Sequence, residues 1–169
     1  IRKILSLPSE RIIPEVYKFQ APVSPHWAAE KESSCILIEK LNLPSSLPEK
    51  IVIETAGGLM VPLTRNFLQL EQLEIWRLPI VLVARSGLGT INHTLLSIEA
   101  LKNRKIPILG VVFNGPVHQD NPKTISDFSN IPVIAELPFL NHLNSKSIQN
   151  EWDRQNLNIK FTTLLKRLE

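Results

Sequence analysis

Cysteine is almost absent. Cys35 stands alone, so no disulfide can form within the chain, and a reducing, cytoplasmic location is expected. Long apolar runs are missing as well. The longest, "LPIVLVA" and "IPILGVVF", fall far short of the roughly 20 residues that cross a bilayer, so no membrane partner is expected. No signal-peptide pattern opens the chain. Basic charge is not concentrated: the net charge is +3, with Lys and Arg interleaved with Glu, so no nucleic-acid footprint is indicated. None of the 6 glycines is followed by lysine, so these residues hold no G-x-x-x-x-G-K-[ST] phosphate loop. G-x-S-x-G is absent too, so Ser86 is not the serine of a nucleophile elbow. The histidines (His26, His93, His118 and His142) lack metal-ligand spacing. The sequence opens on Ile1 in the helix-like "IRKILSL", which reads as the middle of something.

A chain of 169 residues suits a single domain over 1–169 with one core. Two proline-rich stretches, "QAPVSPHWAAE" and "LPSSLPEK", are expected as loops, because proline fixes φ and biases its predecessor toward extended backbone. After Lys50 the pattern alternates. "KIVIE" predicts a strand and "RNFLQLEQLEIW" a helix with Phe67, Leu68, Leu70, Leu73 and Trp76 as its apolar positions. "PIVLVA" predicts a second strand, and "TINHTLLSIEALKNR" a helix with Ile91, Leu95, Ile98 and Leu101 on one stripe. "IPILGVVFN", "NPKTISDFS" and "IPVIAELP" predict a strand, a short helix and a fourth strand. The tail from Ser145 to Leu168 reads as mostly helical, with Trp152, Ile159, Phe161 and Leu164 as apolar candidates. Apolar strands alternating with helices predict an α/β fold, a parallel sheet covered by helices on both faces.

Such sheets bind ligands at the carboxyl ends of their strands. The residues there are Glu54 with Ala56-Gly57-Gly58, then Arg85-Ser86-Gly87, Asn114-Gly115 and Glu136-Leu137-Pro138. Glu54 is either a Mg2+ ligand beside a glycine pair that leaves backbone N–H groups open, or an exposed residue in a tight turn. "ARSGLGTINHT" leaves a strand and opens a helix, with Thr90 as the expected N-cap; it is either an anion site or a simple cap. Its glycine spacing lacks the third small residue of a dinucleotide fingerprint. Asn114 offers a donor and an acceptor to a base edge, or belongs to an ordinary Asn-Gly turn.

Taken together, "ERIIPEVYKFQAPVSPHWAA", "IVIETAGGLMVPLT", "PIVLVARSGLGTINHTLLSIEAL", "ILGVVFNGP" and "IAELPFL" resemble the ATP-dependent dethiobiotin synthetases, in the same order and up to about Leu140. The resemblance implies a P-loop NTPase-like fold and the penultimate step of biotin synthesis. In that step 7,8-diaminopelargonate takes up CO2 as a carbamate, ATP phosphorylates it, and the second amine closes the ureido ring. It implies Mg2+, ATP as co-substrate, and a homodimer with substrate at the interface. Carried over, Glu54 is the metal ligand and a catalytic residue. Thr55, Ala56, Gly57 and Gly58 border the phosphates and the diamine, with Thr55 where the family often has Gly. Gly89, Thr90, Ile91 and Asn92 hold the substrate carboxylate from the neighbouring subunit; Asn114 and Gly115 read adenine; Leu137, Pro138 and Phe139 line the base.

Members of that family open with a strand, a phosphate loop with its Lys and Thr, a helix, and a strand ending in another lysine. A metal-binding Asp follows. None of this is found ahead of the segment that Ile1 matches. That N-terminal βαβ unit is worth about 30 residues or more. Two expectations follow: a dethiobiotin synthetase represented without its N-terminal part, or a non-catalytic remnant that keeps the fold, the dimer surface and partial ligand binding.

Overall fold

The computed structural model describes residues 1–45, 48 and 50–166. In chain order its elements are helices α1 (Arg2–Leu5) and α2 (Pro25–Lys31), strands β1 (Pro62–Thr64) and β2 (Phe67–Leu68), helix α3 (Gln69–Trp76), strand β3 (Ile80–Arg85), helix α4 (Thr90–Asn103), strand β4 (Ile108–Asn114), helix α5 (Asn121–Ser129), strand β5 (Val133–Leu137), and helices α6 (Ser145–Arg154) and α7 (Leu157–Leu165). Contacts group them into two compact units, Ile1–Ile13 with Pro79–Glu169, and Pro14–Leu78.

The first unit is built on a parallel sheet in the order β3-β4-β5. β4 is central and buries side chains on both faces, which is why its sequence is apolar without alternation. On one face Val111 and Phe113 meet Ile98 of α4 and Ile125 of α5. On the other, Leu109, Val112 and Ile134 meet Leu157 of α7, with Phe161 and Leu164 packed alongside. The two-sided α/β layering predicted from the alternation is therefore present. The stripe predicted on α4 faces the sheet: Ile98 and Leu101 are buried, and Ile91 and Leu95 pack on the same cluster. Each fully buried side chain of this size contributes about 1.5–3 kcal/mol by leaving water. α5 ends on Asn130 at φ 55, and the Lys102 ammonium donates to the Ser129 carbonyl at 2.5 Å, satisfying an otherwise free helix-end acceptor.

The tail is two helices, broken at Gln155–Asn156, where Asn156 has φ 53. Leu157, Phe161 and Leu164 share the buried stripe of α7 at helical spacing. Ile159 lies off that stripe and is exposed, against expectation; Trp152 stacks on Phe161 with ring centroids 5.7 Å apart. Leu168 falls outside the described residues.

In the second unit β1 and β2 form a short antiparallel pair that leads into α3. Here the single helix expected from Arg65 to Trp76 is corrected. It begins at Gln69, because the Glu71 carboxylate accepts the Leu68 N–H at 2.7 Å and stops the helix there. Leu70 and Leu73 are buried, and the Trp76 indole donates to the Leu41 carbonyl at 2.9 Å. The first proline-rich stretch is not all loop: Pro25 starts α2, where its fixed φ and missing N–H cost nothing. Of the second stretch, Ser46, Leu47 and Glu49 lie outside the described residues.

The largest departure is Ile51–Glu54. No strand forms there, and Val52 is 98% exposed. A strand exists only through a ladder, and among the described residues no strand pairs with this segment. The parallel sheet thus has three described strands, not four.

Candidate functional site

The sheet register brings three strand ends side by side. Arg85 pairs with Asn114, and Asn114 with Leu137. The Ser86 N–H donates to the Asn114 carbonyl at 3.3 Å, and the Gly115 N–H to the Leu137 carbonyl at 2.9 Å. From α5 the Asn121 amide donates to the Ser86 carbonyl at 3.2 Å. Gly115 adopts φ +133, and a Cβ there would lie 2.6 Å from the Ser86 hydroxyl, so only glycine fits. The Ser86 hydroxyl itself is buried and has no hydrogen-bond partner among the described residues.

Asn114 points an amide to solvent at this edge, and two residues past the end of β5 the Phe139 ring is 77% exposed. An exposed amide with both donor and acceptor at the end of β4, and an exposed ring two residues past the end of the paired β5, suit a flat, polar-edged heterocycle. The Ser86–Gly115 contact and the Asn121 tie were not legible in the sequence. They arise from register between distant segments, and no local pattern signals them.

At the start of α4 the expected Thr90 cap is corrected. The N-cap is Gly89 at φ 87, with no side-chain cap. Thr90 is the first helical residue; its side chain is buried and its hydroxyl lies 3.3 Å from that of Thr94 one turn on. Thr90 N–H donates to the Gly87 carbonyl and His93 N–H to that of Gly89, whereas Ile91 and Asn92 N–H, between them, have no backbone acceptor outside the helix. These two groups, at the positive end of a helix, suit an anion. Beside them a cleft of about 360 Å³ runs between β3 (Leu82–Arg85) and the α4 residues Thr90, His93, Thr94 and Ser97.

Glu54, Thr55, Ala56, Gly57 and Gly58 belong to the second unit. Glu54 is exposed, with no hydrogen bond or ion pair to another described residue. The turn behind it is set by the Gly57 N–H on the Thr55 carbonyl at 3.1 Å and the Val61 N–H on that of Gly58 at 3.1 Å. It is anchored to α3 by the Leu70 N–H on the Leu59 carbonyl at 2.8 Å. Gly57 sits at φ +90, whereas a Cβ on Gly58 would meet open space. Among the described residues no group of three or more His, Cys, Asp or Glu side chains could hold a metal on its own.

Comparison with known proteins fits this arrangement. A family model described as "AAA domain" matches residues 1–147. The chain is 46% identical over 149 residues to the ATP-dependent dethiobiotin synthetase BioD of Bradyrhizobium diazoefficiens, covering 88% of this chain and 71% of that protein. It is 43% identical to the enzyme of the same name from Rhodopseudomonas palustris, covering 88% of this chain and 70% of the relative. It is also 43% identical to the biotin biosynthesis bifunctional protein BioCD of Bordetella avium, over 92% of this chain and 33% of that longer protein. The match runs through all three strand ends and the glycine-bearing turn, and the chain belongs to the ATP-dependent dethiobiotin synthetase family.

Proposed function

We propose that the protein acts in biotin biosynthesis as a dethiobiotin synthetase, one domain that closes the ureido ring of 7,8-diaminopelargonate with CO2 and ATP. The observation that carries this reading is the aligned edge of β3, β4 and β5 in a chain 46% identical to such an enzyme. The amine attacks CO2 to give a carbamate, whose oxygen takes the γ-phosphoryl group of ATP; the second amine then displaces phosphate. Asn114 and Gly115 hold the adenine edge while Leu137, Pro138 and Phe139 cover its face. The Ile91 and Asn92 N–H groups at the Gly89–Thr90 turn receive the substrate carboxylate, supplied across a homodimer interface. Ala56, Gly57 and Gly58 let phosphate and diamine approach backbone, with Thr55 alongside.

A free exposed carboxylate at Glu54 fits Mg2+ as one oxygen ligand, with phosphate and water completing the shell. Bound there, the ion would neutralise charge on the phosphate oxygens. The reading places the enzyme in the cytoplasm.

The test is ADP release and dethiobiotin formation by the complete protein supplied with diaminopelargonate, bicarbonate and ATP. Asn114→Ala is expected to raise KM for ATP about tenfold with a smaller change in kcat, by loss of a donor–acceptor pair to the base edge. Glu54→Gln is expected to lower kcat about a hundredfold or more. Wild-type kinetics from both variants would sink the site assignment.

A further inference from the structure

Among the described residues β5 has a strand on one side only. Its Leu137 carbonyl accepts from the N–H of Gly115, the residue after β4, so the N–H and C=O of Glu136 point away from β4. Outward groups on a strand edge are normally left to water or to another strand. Here they are filled by side chains. The Gln155 amide oxygen accepts the Glu136 N–H at 3.0 Å, and its NH2 group donates to the Glu136 carbonyl at 2.7 Å. One turn along α7, the Lys160 ammonium donates to the Ile134 carbonyl at 2.9 Å.

The Gln155 amide therefore bonds Glu136 as the peptide group of a neighbouring strand would. Its orientation is fixed from behind. The second NH2 hydrogen goes to the Glu151 carboxylate, which Arg154 holds by two bonds at 3.0 and 2.5 Å. A flipped amide would set its oxygen against that carboxylate and against the Glu136 carbonyl. Beyond Glu136 the outward edge offers no further strand-type donor at the next outward position, because Pro138 has no N–H. The course of Leu137–Phe139 is thus set by Gly115 on one side and Gln155 on the other.

We propose that Gln155 is a positioning residue for nucleotide recognition: its side-chain amide stands in for a strand at the end of β5 and holds Leu137–Phe139 where the base is received. The inference rests on the nucleotide reading of this edge given above. Gln155 lies outside the segments that resemble the family, and the role proposed for it is exerted through the end of β5.

The test is carried out on the complete protein with ATP and GTP as probes, alongside hydrogen exchange of backbone amides. Gln155→Leu is expected to weaken ATP binding about tenfold, by loss of two hydrogen bonds to the strand end. GTP binding should change little, so the preference for ATP falls. The Glu136 amide should lose protection while those of β4 keep theirs. Glu151→Gln, which leaves the Gln155 amide in place but removes the charged group and the Arg154 ion pair behind it, should act in the same direction with a smaller effect, and it covers the case in which Gln155→Leu does not fold. Lys160→Met removes the bond farther from the strand end; it should lower stability and leave the ATP-to-GTP ratio unchanged. If wild type prefers ATP and the Gln155 and Glu151 variants keep that preference in full, the inference fails alone. If wild type itself shows no preference for ATP, the nucleotide reading fails and this inference falls with it.

Discussion

Two adjacent glycines make different demands on the chain. Gly57 holds φ +90, and a Cβ there would lie 3.0 Å from Val61, whereas Gly58 faces open space. Gly57→Ala should therefore lower stability by about 1–2 kcal/mol, and Gly58→Ala by less than about 0.5, read as urea midpoints. Gly115 combines a positive φ with the Ser86 contact, so Gly115→Ala should cost about 2–4 kcal/mol, and adding Ser86→Ala should restore only the steric part. Glu151 makes a prediction in pH. Its bond to Arg154 holds the carboxyl below the usual range, with a further contribution from Gln155. A lowered carboxyl contributes stability that is present above the unfolded value and lost as pH falls through the folded one. The stability gap between wild type and Glu151→Gln should thus shrink on acidification below about pH 4.5. A gap that stays constant with pH would remove the ion pair from the account.

At the scale of elements, β4 and β5 approach unusually closely at Gly110, where a Cβ would lie 2.6 Å from the Ile134 side chain and 2.7 Å from the Pro132 carbonyl. The carbonyl is backbone and cannot swing aside, so Gly110→Ala should cost about 1–3 kcal/mol or shift the β4–β5 register, visible as altered amide exchange at Val133–Ala135. The apolar run containing Gly110 was legible as a strand, as were β3, β5 and the α4 stripe, because each buries its own pattern within a few residues of chain. What was not legible depended on partners. Ile51–Glu54 has the composition of a buried strand and remains unpaired among the described residues. Pro25 and Thr90 were misplaced by one structural role each. Pro25 sits where a helix tolerates proline, and the Thr90 hydroxyl is occupied by Thr94 instead of capping its own helix. The candidate site followed the same rule. Strand-end residues, Ser86 among them, could be named from the alternation, whereas the contacts that hold them, Ser86 against Gly115, Asn121 on Ser86 and Gln155 on Glu136, came only from register and packing.

For the whole molecule, the question is how much phosphoryl-transfer machinery these residues supply. The base edge, the anion-suited helix start and one free carboxylate are all contributed by described residues. A lysine-bearing phosphate loop is not among them. Phosphoryl transfer rests on cations and backbone donors set around the phosphates, and none of the 6 glycines in this chain precedes a lysine. We therefore expect the 169-residue chain by itself to release no ADP above background with diaminopelargonate, bicarbonate, ATP and Mg2+. In the reading proposed above, adenine recognition is a separable part of this edge, so adenosine should still perturb backbone amide signals near Asn114 and Leu137. Nucleotide binding and turnover should come apart in this way if the edge of β4 and β5 reads the base independently of the phosphates. Measurable turnover by the chain alone would mean that other cations, such as Arg85 at the end of β3, take on the phosphate charge. Absence of any adenosine effect at Asn114 would instead remove this edge from nucleotide recognition altogether.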